Sequence, residues 1–575
     1  MSFLEYIDKN IIQNVFNSNE FKGWLLSKRW FSDKFILSNL DFKIEIPYFE
    51  RIAGRIFIIL IKVIKEHYEK CYFLPLIYYK KIQDVLLESE KITNKIIKLT
   101  ENTFSKKIAL RIKIQEEIFT LNFIEAEYCL YFWKNLLFDK TISEKYPKLS
   151  LDLILYSEQF QDKTNMNKVQ NLIEASLYPE NYEIQLEQLG MGNTTNLLFK
   201  LDLIKKNHTS ESLYSYVLKS YKEYHESLEP STLYIFVQNN FENAPKIYGN
   251  IKIKDMDSIG ILEYISSDGN VGDIYWGELN KLIKSFAEKI VKDEIILSSK
   301  EEMYQYIKNG CSETLKVSES IGKAINNLHK SIILEGDKDY STSIIESDFY
   351  LNNYTHKLNL MIEDLQHLIK QESHNAFYSL PKISSVLIDT KDILEKFRND
   401  FSEKEINSQP VHQDLHMEQI LFKQYQKEYK YYFIDFEGDP KLSIEENKEK
   451  FPIEKDLAAF LRSLSYIKFN ILLKIIEDYF LNHSEHRVPE EILYNLFFRK
   501  GIRRPNDKLQ KILEIINIWE EKLMSKFLKS IDYNYTLVNF FTIERIIHEI
   551  NYEILFRPNK FIIPLLGLKE LIDKN

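Results

Sequence analysis

Three oxygen-bearing side chains in one short stretch carry the chemistry this chain offers. Asp414 and Gln419 stand five residues apart in His412-Gln413-Asp414-Leu415-His416-Met417-Glu418-Gln419, and Asp435 ends the apolar run Tyr431-Tyr432-Phe433-Ile434. A carboxylate beside an alcohol orients the hydroxyl and takes its proton. A second carboxylate and an amide carbonyl are the hard oxygen donors that Mg²⁺ prefers, and Glu437 offers oxygen to a second ion. Phosphoryl transfer from a metal-bound nucleotide to an alcohol needs this combination. The elements that must position it are two short strands, Ile420 to Phe422 and Tyr431 to Ile434, joined by a polar turn over Lys423 to Lys430. Such a hairpin sets the loop before its first strand beside the end of its second, so Asp414, Gln419 and Asp435 converge. The plain alternative is a surface hairpin with charged ends. Both halves in order on one hairpin outweigh it, because together they supply a base and metal ligands.

The order H-x-D-x-x-x-x-Q then D-F-E parallels the H-R-D-x-x-x-x-N and D-F-G of protein kinases. Kinases also need phosphate contacts upstream, and the chain offers them. The strand Tyr182 to Leu189 runs into the turn Gly190-Met191-Gly192-Asn193-Thr194-Thr195-Asn196, and a second strand, Leu197 to Leu203, leaves it. Glycines let the backbone approach phosphates and free N–H groups hold anions, so Gly190, Gly192, Asn193, Thr194 and Thr195 are the candidate phosphate turn for ATP. Lys219, in the strand Ser215 to Lys219, is the candidate phosphate lysine, with Lys200 and Lys222 as solvated competitors. Its acidic partner is not fixed by the sequence: Glu226 and Glu229 both stand near. Strand Ile259 to Ile265 places Glu263, Tyr264 and Ile265 where a kinase holds adenine, although a plain core strand explains the apolar residues as well.

The wording resembles one family in particular. HQDLHMEQIL, then IDFEGDP, then Lys455 to Ser463, is similar to the maltokinases, ATP-dependent sugar kinases related in fold to aminoglycoside phosphotransferases. Trp24, Leu25, Arg29, Trp30 and Phe31 resemble the W-L-x-x-x-R-W-F element of their N-terminal cap. Ile321 to Lys330 resembles their G-x-x-x-x-x-L-H helix, Trp519 to Leu528 their W-x(7)-F-L helix, and Arg545 to Asn559 their K-x-x-Y-E-x-x-Y-E-x-x-x-R-P signature. The resemblance implies an α+β, bilobal, protein-kinase-like (aminoglycoside phosphotransferase-like) fold with a sheet-rich N-terminal cap. The implied domains are a cap over 1–178, an N-lobe over 179–265 and a mainly helical C-lobe over 266–575. It implies that ATP with Mg²⁺ phosphorylates the anomeric hydroxyl of maltose, giving maltose 1-phosphate. Asp414 is then the base, Gln419, Asp435 and Glu437 the metal residues, and His416, Arg462, Arg545, His548 and Tyr552 the sugar residues. Where the family has Lys and Tyr, this chain has Arg545 and His548, which leaves glucosamine, glucose and trehalose open as acceptors. The same resemblance implies a functional link to trehalose synthase or a maltosyltransferase in α-glucan synthesis. A non-catalytic pseudokinase is the rival outside enzymes.

Size and composition bound these readings. At 575 residues, with 44% hydrophobic and 28% charged residues, the chain supports two or three globular domains. A net charge of −9 argues against nucleic acid as the main ligand. Cys71, Cys129 and Cys311 make no zinc spacing and no disulfide framework. The start MSFLEYIDKN lacks signal-peptide form, and no apolar run is long enough for a bilayer, so a cytoplasmic protein is expected. His329 reads as a hydrogen-bonded core histidine. Asp456 reads as a helix-start acid that can satisfy free helix N–H groups, and the kinase resemblance implies that it also braces the catalytic loop. His483 and His486 sit in a polar segment and read as solvated loop rather than metal site.

Overall fold

The computed structural model describes residues 7–34, 37, 39–80, 107–114, 117–139, 142–153, 163–190, 195–205, 212–372, 380–401, 404–426, 428–440, 442–481, 488–498 and 507–574. The pair His483 and His486 lies outside them, as do Gly192, Asn193 and Thr194. The chain divides into two compact units. The first comprises Met1–Asn240 with Pro245–Ile265, the second Phe241–Ala244 with Ser266–Asn575.

The first unit holds two antiparallel sheets. One runs Lys43–Ile52, Ile56–Lys65, Leu76–Tyr78, Glu117–Glu125, Lys107–Ile114, with Tyr68–Phe73 also on Ile56–Lys65. Ile56–Lys65 is β-branched and aromatic and its first six residues are buried, which makes it the middle of that sheet's core. Pro75, which has no N–H for a ladder, separates Tyr68–Phe73 from Leu76–Tyr78 where the sequence suggests one strand. The second sheet runs Leu149–Leu153, Ile247–Ile253, Met256–Glu263, Ser212–Ser220, Leu197–Lys205, Tyr182–Leu189. Its edge strand Leu149–Leu153 comes from before residue 178 in the chain. Strand Met256–Glu263 stops two residues short of the expected end, and the unit itself ends at Ile265.

Within this unit a buried ionic cluster splices the two sheets. Phe73 N donates to Lys222 O at 2.8 Å and Tyr224 N to Cys71 O at 2.8 Å. The Lys222 ammonium lies 2.6 Å from Glu127 Oε1, and both side chains are fully buried. It also sits 4.6 Å from the Trp30 ring centroid. Trp30 Nε1 donates to Glu125 Oε1 at 2.7 Å, and Lys28 Nζ to Glu125 Oε2 at 2.9 Å. The Trp24–Phe31 element is therefore core: Trp30 and Phe31 are buried under this cluster. Burial pushes the Glu127 carboxyl up, and Lys222 opposes that.

The second unit is mainly helical. Its central helices are Val271–Val291, Ser312–Ser331, Glu454–Tyr479, Asp507–Leu528 and Tyr535–Phe556, and a short sheet carries the hairpin. That hairpin is Ile420–Tyr425 paired with Glu428–Phe433, in register from Ile420↔Phe433 to Tyr425↔Glu428. The strands are longer and the turn tighter than the sequence suggests. Gln426, at φ 56°, supplies the left-handed residue that a two-residue hairpin turn needs. Asn243 O accepts from Phe433 N at 2.7 Å, and Asn243 Nδ2 donates to Tyr431 O at 2.7 Å. Among the described residues no helix is long and apolar enough to cross a membrane.

Removing one partner of a fully buried ion pair strands the other charge. Lys222→Met is expected to lower unfolding stability by about 3–5 kcal/mol, and Lys222→Met with Glu127→Leu to recover most of it. Denaturant titration checks both. A single variant as stable as the wild type would contradict the assignment.

Candidate active site

The site is built on the loop ahead of the hairpin. Asp456, fully buried as the third residue of Glu454–Tyr479, does not cap its own helix. Its Oδ2 accepts from His412 N at 3.0 Å and its Oδ1 from Gln413 N at 2.7 Å. His329 Nε2 adds a third bond to Oδ2 at 2.9 Å. Burial would raise the Asp456 pKa, but the His329 hydrogen bond and the neighbouring histidine charges hold it below the ordinary aspartate value. Gln413 is left-handed at φ 69°, a costly backbone for a residue with a Cβ. Asp456 at its N–H and Asn447 O, which accepts from Gln413 Nε2 at 2.7 Å, over-determine it.

The two halves of the motif meet across the hairpin. His412 Nε2 bonds Ile434 O at 2.9 Å, and Ile434 N donates to Gln419 O at 3.0 Å. Gln419 Nε2 donates to Asp435 Oδ2 at 2.8 Å. Asp435 is also left-handed, at φ 69°. Gly438 follows at φ 91°, and a Cβ there would meet Asn447 Oδ1 at 2.5 Å. Gln419 and Asp435 are thus brought together as a pair of hard donors. The amide turns over about its last torsion at little cost, and its oxygen would then face the carboxylate, an arrangement that a cation stabilises. That donor chemistry fits Mg²⁺. Glu437 lies half-buried two residues on. Among the described residues no three His, Cys, Asp or Glu side chains gather as a metal cluster, so Glu437 is not joined to Asp435 in one.

Asp414 faces a different set of partners. Arg545 NH1 lies 2.5 Å from Asp414 Oδ1, and His416 Nε2 lies 3.7 Å from Oδ2. Burial lowers the His416 pKa below the ordinary histidine value; Asp414 opposes this and Arg545 adds to it. Burial works against the Arg545 charge too, yet the carboxylates of Asp414, Asp439 and Glu549 raise its pKa above the ordinary arginine value. His548 is half-buried one turn along the helix. A cavity of ≈ 10 Å³, room for about one water, lies among Gln413, Asp439, Lys455, Glu544, Arg545 and His548. Tyr552, a further turn on, is 44% exposed with the Arg557 guanidinium 5.1 Å from its ring, so it is not core. Arg462 departs from the expectation of a sugar contact. It is 2% exposed, and it donates to Glu549 Oε2 at 2.8 Å and Ser465 Oγ at 2.7 Å. These bonds fit a residue that positions Glu549 and Ser465, while its NH2 is buried with no hydrogen-bond partner among the described residues.

In the first unit Lys219 Nζ lies 2.8 Å from Glu229 Oε2, both buried, and Tyr221 OH donates to the same oxygen at 2.9 Å. Its competitors are otherwise engaged: Lys200 pairs with Asp202 at 2.8 Å and Lys222 with Glu127. Gly190 (φ 62°) and Thr195 are exposed at the two ends of the turn. The Glu263 side chain holds Lys168 Nζ at 3.1 Å, Tyr264 lies under Lys200 with 4.6 Å to its ring centroid, and Ile265 is half-buried. Sequence reasoning left Glu229 unchosen and missed Glu549. The signal for Glu229 was an acid just before Pro230, at a helix start. For Glu549 it was the four-residue step from Arg545.

Comparison with solved structures supplies the fold. A glucosamine kinase in one crystal form matches 92% of this chain and 93% of its own, with a TM-score of 0.52 at 10% identity. A second crystal form of a glucosamine kinase gives 0.47 over 92% and 94%, at 10% identity. A glucosamine kinase in complex with glucosamine, ADP and inorganic phosphate gives 0.41 over 72% and 87%, at 13% identity. The fold is α+β and protein-kinase-like. No protein-family model matches the chain, and no curated protein does.

The lowered Asp456 pKa sets a pH dependence. A carboxyl held below its unfolded value contributes stability fully above about pH 4 and loses it as pH falls through the folded value. Asp456→Asn is expected to cost about 2–5 kcal/mol at pH 7 and to flatten this acid limb. Urea midpoints measured from pH 3 to 7 check it, and an unchanged limb would contradict the brace.

Proposed function

We propose that the chain is an ATP-dependent sugar kinase, with the anomeric hydroxyl of maltose as the leading acceptor. The observation that carries this reading is the Gln419–Asp435 pair on one hairpin, with Asp414 on the loop braced by Asp456. The kinase-like fold and the maltokinase resemblance support it. In the reaction the bond from the γ-phosphorus to the β–γ bridging oxygen breaks, and the sugar oxygen bonds to phosphorus. Asp414 orients that hydroxyl and takes its proton. Gln419 and Asp435 would hold Mg²⁺, which neutralises charge on the phosphates. Lys219, aimed by Glu229, and the turn from Gly190 to Asn196 would hold phosphate oxygens. His416, Arg545, His548 and Tyr552 would contact the sugar, with the exposed Tyr552 ring offering a stacking face. The Lys219–Glu229 pair supports a catalytic reading over a non-catalytic one.

Glucosamine is the rival acceptor, motivated by the name of the structural neighbours. A panel of maltose, glucose, trehalose and glucosamine with ATP and Mg²⁺, read by ADP release, tests the reading. Maltose is expected to turn over fastest, and Asp414→Asn to reduce kcat by about 10²–10⁴. Faster turnover of glucosamine overturns the acceptor, and an unchanged rate in Asp414→Asn removes the base.

A further inference from the structure

One oxygen of Asp414, the proposed base, is occupied: Arg545 NH1 lies 2.5 Å from Oδ1. The same guanidinium has a second carboxylate in reach, since its Nε lies 3.7 Å from Glu549 Oε1, four residues on along Tyr535–Phe556. Glu549 is kept in place from behind: its Oε2 accepts from the buried Arg462 Nε at 2.8 Å. Arg462 in turn is pinned by Ser465, and a Cβ on Gly567 would press its NH1 at 2.7 Å. Arg545 thus stands between Asp414, the proposed base, and Glu549, which Arg462 holds in place, with Asp439 a third carboxylate nearby.

We propose that Arg545 is a specificity-determining residue that keeps water from acting as phosphoryl acceptor. It stays on Asp414 until a sugar displaces it onto Glu549. This rests on the kinase reading above. Hydrolysis would break the same bond from the γ-phosphorus to the bridging oxygen, join a water oxygen to phosphorus and hand the water proton to Asp414. A water molecule has no other contacts with which to move a guanidinium off a carboxylate. A sugar has its remaining hydroxyls and ring faces, and that binding energy drives the rearrangement that frees the base.

The two carboxylates predict opposite phenotypes. Full-length protein is assayed with ATP and Mg²⁺ for inorganic phosphate without sugar, and for sugar phosphate with maltose or glucose. Arg545→Gln is expected to raise sugar-free phosphate release about tenfold while sugar phosphate falls. Glu549→Gln removes the carboxylate onto which the guanidinium is proposed to move. Its phosphate release stays low, and kcat for sugar drops by about tenfold. Sugar-free hydrolysis in Arg545→Gln at or below the wild-type rate overturns the proposal. So does a wild-type kcat in Glu549→Gln, and this arm decides alone if Arg545→Gln does not fold. A wild-type protein that phosphorylates none of the sugars defeats the kinase reading instead, which the wild-type control reports separately.

Discussion

One buried carboxylate, Asp456, fixes the geometry on which everything else in the second unit depends. A charge with no access to water costs several kcal/mol unless donors surround it. Here two backbone N–H groups and an imidazole do so. Those donors come from the loop at 412–413 and from helix Ser312–Ser331, so satisfying the charge sets both against Glu454–Tyr479. The grip also accounts for the strained Gln413, because both its N–H and its side chain are held. His412 then carries the constraint across to Ile434, next to Asp435.

Ion pairs that are buried elsewhere share this logic. Lys222 with Glu127 ties the two sheets of the first unit, and Lys28 with Glu125 ties the segment after Asn19–Leu26 to the first of them. Lys468, fully buried, is held by Glu520 at 2.9 Å and Glu570 at 2.6 Å, and it fastens Ile562–Lys574 onto two other helices. Such pairs contribute little net stability compared with apolar packing of the same volume, but they penalise every arrangement that separates them. In a chain of 575 residues with 15 glycines and 14 prolines, few positions are left for backbone devices to set geometry. Charge placement in the core takes over part of that task.

The sequence was informative where chemistry imposes spacing. The D-x-x-x-x-Q and D-F-E halves, the hairpin between them and the lysine strand could all be read from residue types and order, whereas the bond between His329 and Asp456 could not. It was silent where contacts depend on side chains far apart in the chain. Glu229 could not be told from Glu226 because a helix start, not a spacing, brings it to Lys219. Arg462 looked available because its helix position does not reveal that Gly567 lets another helix close over it. Nothing in the local pattern shows that Arg545 pairs with Asp414, 131 residues away. The hairpin is longer than its residue types suggest, because strand pairing tolerates charged residues on an exposed edge.

The central claim is that phosphorus moves from ATP to a sugar oxygen at Asp414. Phosphorus-31 NMR of wild-type protein with ATP, Mg²⁺ and maltose observes that transfer directly. The account predicts a new phosphate monoester resonance, coupled to the anomeric proton, that grows in step with ADP. A spectrum in which ATP persists, or in which inorganic phosphate is the sole new signal, contradicts it.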